Sequence, residues 1–424
     1  MLDLKFILCN IDLVYTKLKK RGIEPSFLEK LIYLDKDRKK IIQEIEKKRF
    51  YKNNLTKNIV ELKIQNKLDD SFFQKEQILK KNLKELERQC QEIEQNIFDI
   101  LTNIPNLPHD SVPYGISEQD NIEIFRSPEN NKMSFSPKDH VELGTKLNIL
   151  DFEKAAKITG SKFVVLKGSG AKLERALINF MIDTHLSRGY QEFLPPFIVN
   201  EQSMFATGQL PKFKKELFQL NLEKQSWYLN PTAEVPIINL HRNDVLDISQ
   251  LPLKYVSCTT CFRQEAGAAG KNTKGILRQK QFNKVELIQF VEPQFSYSAL
   301  EKILKDSEYI LQQLKLPYRV VVLSTGDLGF SMSKTYDIEV WLPGQNKYCE
   351  IASISNAEDF QARRANIKFI RDKKAKRQYL HTLNGSALAI GRTMMAILEN
   401  YQDKEGHIKI PTVLHKYMGI DLIK

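Results

Sequence analysis

The chain has 424 residues, of which 42% are hydrophobic and 27% are charged, and 64 Lys and Arg against 52 Asp and Glu leave a net charge of +12. This composition indicates a soluble globular protein of two or three domains, and the absence of any run of 18 apolar residues argues against a membrane span. The beginning of the sequence lacks the apolar run of a secretory signal, and five scattered cysteines exclude a disulfide scaffold. Together these features predict a cytoplasmic protein.

The N-terminal quarter is the most basic part of the chain and has regular heptad spacing. Its first 100 residues hold 22 Lys and Arg against 17 Asp and Glu. Apolar or long-stemmed residues recur at alternating spacings of three and four, which keeps one stripe of a helix against a partner. The two series are Leu34, Arg38, Ile41, Ile45, Lys48, Lys52, Leu55, Ile59, Leu62 and Leu79, Leu83, Leu86, Cys90, Ile93, Ile97, Ile100.

A short polar segment at residues 66–71 separates the two series, and short connections join antiparallel helices. We therefore predict an antiparallel two-helix coiled-coil arm over about residues 27–101, within a domain of residues 1–103. A dimerising coiled coil would use the same seam. However, Arg38, Lys48 and Lys52 interrupt it, and their stems could cover the seam while their charges reach water. A basic arm of this kind is suited to binding a nucleic acid.

The heptads end at Asn103, and Pro105 and Pro108 predict a linker over residues 104–120. In the following domain, residues 121–424, the hydrophobic period changes repeatedly, and neighbouring strand-like runs permit hairpins. The predicted fold class is α+β, with a mostly antiparallel sheet flanked by helices. Helices are expected at 138–143, 151–159, 171–188, 298–314 and 384–400, and strands at 163–166, 193–199, 226–230, 254–257, 276–291, 318–323, 335–342 and 347–355.

Four segments carry charges, amides and hydroxyls where buried strands should be apolar, namely 230–235, 261–287, 348–356 and 383–392. Within residues 281–287, strand alternation puts Phe282, Lys284 and Glu286 on one face. A loop containing Gly and Lys joins this strand to one that ends near Arg263 and Glu265. Such a hairpin could stack a base, clamp a phosphate and hold an ammonium group. The alternative is a surface hairpin with cross-strand ion pairs.

These segments resemble the motifs of class II aminoacyl-tRNA synthetases. Phe262-Arg-Gln-Glu265 with Phe282 and Glu286 is similar to motif 2, and Gly391-Arg392 at the start of a helix is similar to motif 3. Residues 188–196 resemble motif 1. Thr232-Ala-Glu234, Thr382-Leu-Asn-Gly-Ser386 and the helical arm narrow the resemblance to the seryl-tRNA synthetase family, whose motif order is kept along almost the whole chain.

The resemblance implies that L-serine is activated with ATP to seryl-adenylate and then passed to the 3′-terminal ribose of tRNA-Ser, and also to selenocysteine tRNA where that tRNA exists. It implies a class II catalytic domain, a homodimer formed through motif 1 and an arm that contacts tRNA. Arg263, Arg392 and Glu286 would be catalytic. The implied ATP contacts are Arg263, Gln264, Glu265, Phe282, Glu350, Ile351, Ala352, Ser353 and Arg392.

Within this set, the resemblance gives Glu350 and Ser353 a second role as ligands of Mg²⁺, a hard cation that takes oxygen ligands. The implied serine contacts are Thr232, Ala233, Glu234, Arg263, Glu286, Asn384 and Ser386. Two other functions stay open, a non-catalytic coiled-coil protein that binds nucleic acid, and another class II aminoacyl-tRNA synthetase. Cys258 and Cys261 are interpreted as strand residues, because no second pair follows at zinc-site spacing.

Overall fold

The computed structural model describes residues 1–64, 70–128, 133–222, 225–266 and 274–424. These residues divide into two compact units. The first, here the helical unit, comprises Leu2–Lys19 and Ile23–Ile104. The second, here the sheet unit, comprises Met1, Lys20–Gly22 and Pro105–Lys424. Most of the predicted polar turn at 66–71 and of the predicted loop at 266–275 lies outside the described residues.

Two long helices, α3 (Phe27–Ile64) and α4 (Asp70–Asn103), dominate the helical unit and follow α1 (Leu4–Cys9) and α2 (Ile11–Lys20). They confirm the predicted two-helix arm. Their contact is built on four buried side chains that belong to the predicted heptad series, Ile45, Leu55, Leu79 and Leu83. Each buried side chain of this size contributes roughly 1.5–3 kcal/mol of transfer free energy.

The basic residues that interrupt the first heptad series cover the seam rather than break it. Arg38, Lys48 and Lys52 are all half-buried. The Arg38 guanidinium also lies 2.9 Å from the carboxylate of Asp35 and 3.8 Å from that of Glu94 on the other helix. The aliphatic stems of these three basic residues can therefore cover the seam while their charged ends are paired or reach water.

An eight-stranded sheet forms the centre of the sheet unit, in the order β1-β11-β12-β13-β16-β10-β9-β4. Every described pairing in it is antiparallel except that of β4 with β9. Its strands are β1 (Ile122–Arg126), β4 (Gln191–Glu192), β9 (Leu253–Phe262), β10 (Gln281–Val291), β11 (Tyr318–Val322), β12 (Lys334–Leu342), β13 (Lys347–Asn356) and β16 (His381–Ala389).

Helices and short strands surround this sheet, and α7, α10 and α12 contribute most of the helical side chains of the main core. The helices are α5 (His140–Lys146), α6 (Phe152–Thr159), α7 (Ser169–Ser187), α8 (Glu201–Ala206), α9 (Glu234–Asn239), α10 (Ser296–Leu314), α11 (Phe360–Ala365), α12 (Ile390–Asn400) and α13 (His415–Met418). The short strands are β2 (Leu150–Asp151), β3 (Val165–Leu166), β5 (Ile198–Asn200), β6 (Gln219–Leu222), β7 (Gln225–Leu229), β8 (Val245–Asp247), β14 (Lys368–Ile370), β15 (Gln378–Tyr379), β17 (Ile408–Lys409) and β18 (Leu422–Ile423). Among the described residues, no helix is both long and apolar enough to cross a lipid bilayer.

Several predicted elements have other bounds in the structure; for example, the predicted strand 254–257 is part of the longer β9. The predicted helix 384–400 is wrong over its first turn and a half, because residues 384–389 pair with β10 as part of β16. Strand β10 begins at Gln281 instead of 276. The predicted strand 193–199 reduces to its last two residues, since β5 begins at Ile198. Pro195 and Pro196 lack the N–H that a strand ladder needs.

Gly385 shows why β16 is a strand. A Cβ at this position would lie 2.5 Å from Cγ2 of Ile303 on α10, so the strand can approach the helix only without a side chain there. The sequence Gly-Ser-Ala-Leu-Ala has adequate helix propensity, but pairing with β10 and β13 outweighs that local preference.

Candidate active site

A cavity of about 910 Å³ opens on the central sheet, beside the N-terminus of α12. It brings together residues from every one of the four polar segments of the sequence. The predicted site residues that line it are Thr232, Glu234, Arg263, Glu265, Phe282, Glu350, Ile351, Ser353, Asn384, Ser386 and Arg392.

Glu286 organises one compartment of this cavity. Its side chain is fully buried and accepts hydrogen bonds from the Thr232 hydroxyl at 2.5 Å, the Asn384 amide at 3.2 Å and the Glu234 backbone N–H at 3.2 Å. Lys284 Nζ lies 2.9 Å from Glu286 Oε1 and donates to the Thr232 hydroxyl at 2.9 Å. The alternation of β10 points Lys284 and Glu286 to the same side, as predicted.

The two carboxyl groups in this compartment have opposite pKa shifts. Burial, followed by repulsion from Glu286, raises the pKa of Glu234 to about 7. Burial also raises the pKa of Glu286, but Lys284, Thr232 and Asn384 together outweigh it and leave that pKa below its usual value. The compartment therefore pairs an ionised carboxylate with a carboxyl that titrates near neutrality.

A second layer holds Glu234 in place. The Gln361 amide donates to Glu234 Oε1 at 2.5 Å, and the Thr382 hydroxyl donates to Gln361 Oε1 at 2.6 Å. Because Thr382 lies on β16 and Gln361 on α11, two elements fix the orientation of one carboxyl group.

Arg263 follows directly after β9 and lies against Phe282 of β10. Its guanidinium is 5.3 Å from the centre of the Phe282 ring, and its Nε donates to the backbone carbonyl of Pro231 at 3.3 Å. The neighbouring Glu265 has a left-handed φ of 50° and accepts from Arg278 at 3.2 Å. An aromatic face, a carboxylate and a positioned guanidinium can together bind a purine and an anion.

Arg392 lies in the first turn of α12, where unpaired backbone N–H groups favour anions. Its Nη1 donates to the Glu350 backbone carbonyl at 2.6 Å and lies 3.3 Å from the Glu350 carboxylate. Burial raises the pKa of Glu350, but attraction to Arg392 and Arg263 outweighs it and lowers the pKa below its usual value. The carboxylate therefore stays ionised beside two cations.

Acidic and hydroxyl side chains occupy paired positions of β12 and β13 around Glu350. Asp337 on β12 is the register partner of Ser353 on β13, and Glu339 is that of Glu350. Asp337 Oδ1 is buried and has no hydrogen-bond partner among the residues that the structure describes. Burial and repulsion from Glu350 raise the pKa of Asp337 well above its usual value. This arrangement of hard oxygen donors fits a divalent cation such as Mg²⁺.

Four predicted site residues are not among those that line the cavity. Ala233 is fully buried at the start of α9, and Ala352 packs into the main hydrophobic core. Gln264 donates its backbone N–H to the carbonyl of Glu216 at 2.9 Å. Glu286 lies directly behind Thr232 and Asn384, which do line the cavity.

Sequence comparison agrees with the residues gathered here. Residues 1–108 match the family described as Seryl-tRNA synthetase N-terminal domain, and residues 213–401 match tRNA synthetase class II core domain (G, H, P, S and T). The chain is 57% identical to a serine–tRNA ligase of Aster yellows witches'-broom phytoplasma, with 100% of each chain covered. The chain belongs to the seryl-tRNA synthetase family. A serine–tRNA ligase of Acholeplasma laidlawii is 58% identical over 100% of both chains.

Solved structures of this family have the same fold. A seryl-tRNA synthetase from Pyrococcus horikoshii complexed with ATP has a TM-score of 0.94 at 37% identity, over 100% of this chain and 99% of that one. The cytoplasmic serine–tRNA ligase of Naegleria fowleri in complex with AMP has a TM-score of 0.88 at 29% identity, with the same coverage. The predicted fold class, an arm plus a class II synthetase domain, is therefore confirmed.

Three residues important to the site were not assigned from the sequence. The sequence did indicate Lys284, because strand alternation in β10 put it on the same face as Phe282 and Glu286. Asp337 had a weaker signal, since it alternates with the polar residues Thr335 and Glu339 along β12. Gln361 had none, because it lies 127 residues from Glu234 in the chain.

The cysteine pair of β9 is part of the strand, as interpreted from the sequence. Cys258 and Cys261 are three residues apart on β9, so their side chains lie on opposite faces. Burial raises the pKa of Cys258 to about 12, which disfavours the thiolate that a zinc ion would need.

Proposed function

We propose that the chain is a serine–tRNA ligase, which forms seryl-adenylate from L-serine and ATP and then transfers serine to the 3′-terminal ribose of tRNA-Ser. The observation that carries this proposal is the small compartment around Glu286. It presents carboxyl groups for an ammonium ion, and a hydroxyl and an amide for a short polar side chain. The proposed serine contacts are Thr232, Ala233, Glu234, Arg263, Glu286, Asn384 and Ser386.

In the first step, a serine carboxylate oxygen attacks the α-phosphorus of ATP and pyrophosphate leaves. Both reactants are anions, so the cost of bringing them together falls when fixed cations lie between them. Arg263 supplies one cation between serine and the α-phosphate. Arg392 supplies another for the distal phosphates, with the N-terminus of α12 behind it. Arg263, Arg392 and Glu286 are the proposed catalytic residues.

The adenine base would stack on Phe282, and Glu265 would accept a hydrogen bond from its amino group. Gln264, Ile351 and Ala352 stay predicted ATP contacts. Glu350 and Ser353 would hold Mg²⁺, and Asp337 Oδ1, which has no hydrogen-bond partner within the described part of the chain and lies on the strand paired with Ser353, supports a cation site with oxygen ligands. When bound, this ion would neutralise phosphate charge.

Selectivity follows from the same compartment. A site built to hydrogen-bond a hydroxyl penalises alanine, because its buried polar groups would lose a partner. Threonine would have to be excluded by its extra methyl group.

The remaining partners are proposed from the helical unit and the family. We propose residues 1–103 as a tRNA-binding domain, 104–120 as a linker and 121–424 as the catalytic domain. The arm would track the tRNA backbone and shape, which suits its basic charge. A homodimer formed through residues 188–196, a cytoplasmic location and serylation of selenocysteine tRNA belong to the same proposal.

Pyrophosphate exchange tests the function directly. Purified protein is incubated with ATP, Mg²⁺, labelled pyrophosphate and each of the twenty amino acids in turn. Serine should support exchange at least about a hundredfold faster than alanine, because a site that hydrogen-bonds a hydroxyl can reject an analogue without it by about ten-thousandfold. Threonine keeps the hydroxyl, so its slower exchange would report the steric exclusion of its methyl group.

The two alternatives give different outcomes in the same assay. Exchange with threonine or proline, and none with serine, would identify another class II synthetase. Exchange with no amino acid, together with tRNA binding, would favour a non-catalytic nucleic-acid-binding protein.

A further inference from the structure

Arg21 lies in the short N-terminal segment Lys20–Gly22, which belongs to the sheet unit, although the chain on both sides of this segment belongs to the helical unit. Its guanidinium makes hydrogen bonds to two separate backbone segments. Nη1 donates to the carbonyl of Asn106 at 2.6 Å, and Nη2 donates to those of Leu328 at 2.6 Å and Gly329 at 2.9 Å. A longer bond of 3.5 Å reaches Met332. All four acceptors are backbone carbonyl oxygens.

Two of the four residues held by Arg21 line the cavity. We call residues 328–332 the wall loop, because Gly329 and Met332 line the same cavity as Thr232 and Glu234. Asn106 also holds the wall loop, since it donates its backbone N–H to the carbonyl of Phe330 and its side-chain amide to that of Ser331.

Hydrogen bonds connect the other side of the wall loop to the compartment around Glu286. The Ser331 hydroxyl donates to the carbonyl of Thr207 at 3.0 Å. Gln361 donates to the same carbonyl at 3.3 Å, and the same amide nitrogen holds Glu234 at 2.5 Å. A shift of the wall loop would therefore reach Glu234 through Thr207 and Gln361.

There is little free space along this route. Gly208 has a φ of +85°, and a Cβ there would lie 2.1 Å from the Ser331 hydroxyl oxygen. Because packed contacts of this kind transmit displacement, the wall loop and the Glu234 carboxyl should move together.

We propose that Arg21 is a positioning residue, which acts through the wall loop to set the geometry of the compartment around Glu286. This inference rests on the proposed function, because it takes serine as the ligand of that compartment. Arginine suits the role better than lysine. Its planar fork can bond Asn106 and the wall loop at once, whereas one ammonium nitrogen offers no such fixed span. Burial lowers the pKa of Arg21 to about 10, so the guanidinium remains charged at neutral pH.

The test compares the full-length Arg21→Ala and Arg21→Lys variants with the wild type in serine-dependent pyrophosphate exchange. Arg21→Ala should raise the KM for serine about tenfold, the effect expected from losing hydrogen bonds to a charged group, while kcat stays within about twofold. The KM of Arg21→Lys for serine should lie between those of the wild type and Arg21→Ala. Guanidinium at about 20 mM, far below denaturing concentrations, should restore the KM of Arg21→Ala in part.

Arg49→Ala is the matched control, because Arg49 is exposed on α3 and pairs across the arm with Glu87. Its KM should equal that of the wild type, with and without guanidinium. The inference is overturned if Arg21→Ala keeps the wild-type KM, or if kcat falls alone with no rescue, as loss of folded enzyme would give. If Arg21→Ala does not fold, an unchanged KM in Arg21→Lys overturns it. If the wild type shows no serine-dependent exchange, that result would instead contradict the proposed function.

Discussion

At the scale of single residues, environment gives two glutamates in one compartment different charges. Lys284, Thr232 and Asn384 keep the pKa of Glu286 low, so Glu286 stays ionised, whereas burial and then repulsion from Glu286 raise the pKa of Glu234 to about 7. Pairs of titratable groups whose environments separate their pKa values commonly mark acid–base or ion-binding roles. Here the pair suits a substrate that brings its own positive charge.

The raised pKa predicts that serine binding depends on pH. Below pH 7 the Glu234 carboxyl is neutral in the free enzyme, so the serine ammonium ion must displace its proton on binding. The KM for serine should therefore rise as pH falls below 7, by up to about tenfold per pH unit. Serine-dependent pyrophosphate exchange between pH 5.5 and 8.5 measures how this KM changes with pH.

Glu234→Gln should remove this pH dependence, while Glu153→Gln, at an exposed carboxyl on α6, should keep the wild-type profile. A KM that is flat from pH 5.5 to 8.5 in the wild type would contradict the assignment of Glu234.

Lys284 and Glu286 form a buried pair that can be tested by a double-mutant cycle. Lys284→Met leaves a buried carboxylate without its cation, so the free energy of unfolding should fall by about 3 kcal/mol. Adding Glu286→Gln should recover a large part of that loss, because the uncompensated charge is gone. Urea unfolding of the four proteins gives the coupling energy, and strictly additive losses would refute the pairing.

At the scale of elements, the two main parts of the chain depend on different contacts. The seam between α3 and α4 is made by residues at regular short spacings, so it is a local feature of each helix. Strand β16 instead depends on its place between β10 and β13, and its Gly385 fits against α10. The arm can therefore be predicted from the heptad spacing, whereas β16 is determined by pairing with its neighbours in the sheet.

Leu83→Ala tests the seam. Leu83 is buried between α3 and α4, and its removal should lower the free energy of unfolding of the arm by about 2–4 kcal/mol. Circular dichroism at 222 nm during urea unfolding measures the loss. Serine-dependent exchange should be unchanged, whereas tRNA charging should fall. Lys81→Ala, at an exposed position of α4, should change stability by less than about 0.5 kcal/mol. A loss of exchange in Leu83→Ala would show that the arm has a further role.

At the scale of the whole molecule, the two compact units correspond to two proposed tasks, the chemistry of activation and the recognition of tRNA. The density of positive charge is highest in the first 100 residues, while the cations proposed for phosphate, Arg263 and Arg392, lie in the cavity. In the proposed function, charge on the surface and charge in the site would thus serve different partners.

Deletion of residues 30–98 separates these tasks. The shortened chain should keep serine-dependent exchange within about threefold, because none of the cavity residues is removed. Its charging of tRNA-Ser should fall by more than about a hundredfold, as expected when several backbone contacts are lost. Glu286→Gln in the full chain is the contrasting variant, which should lose both reactions. If the deletion charges tRNA normally, the arm does not serve tRNA binding.

The sequence by itself determined the features that depend on neighbours along the chain. Heptad spacing predicted the arm, and strand alternation put Phe282, Lys284 and Glu286 on one face. The motif resemblance then supplied residues such as Arg263 and Arg392, which do line one cavity.

Only the tertiary structure decided how distant segments meet. The bond between Asn384 and Glu286 spans 98 residues, that between Gln361 and Glu234 spans 127, and that between Arg21 and Leu328 spans 307. The pairing that makes residues 384–389 a strand is of the same kind. Helix and strand periods are set by the geometry of a few successive residues, so a sequence displays them directly. Contacts between remote segments, and the pKa values that depend on them, exist only once the sheet has assembled and excluded water.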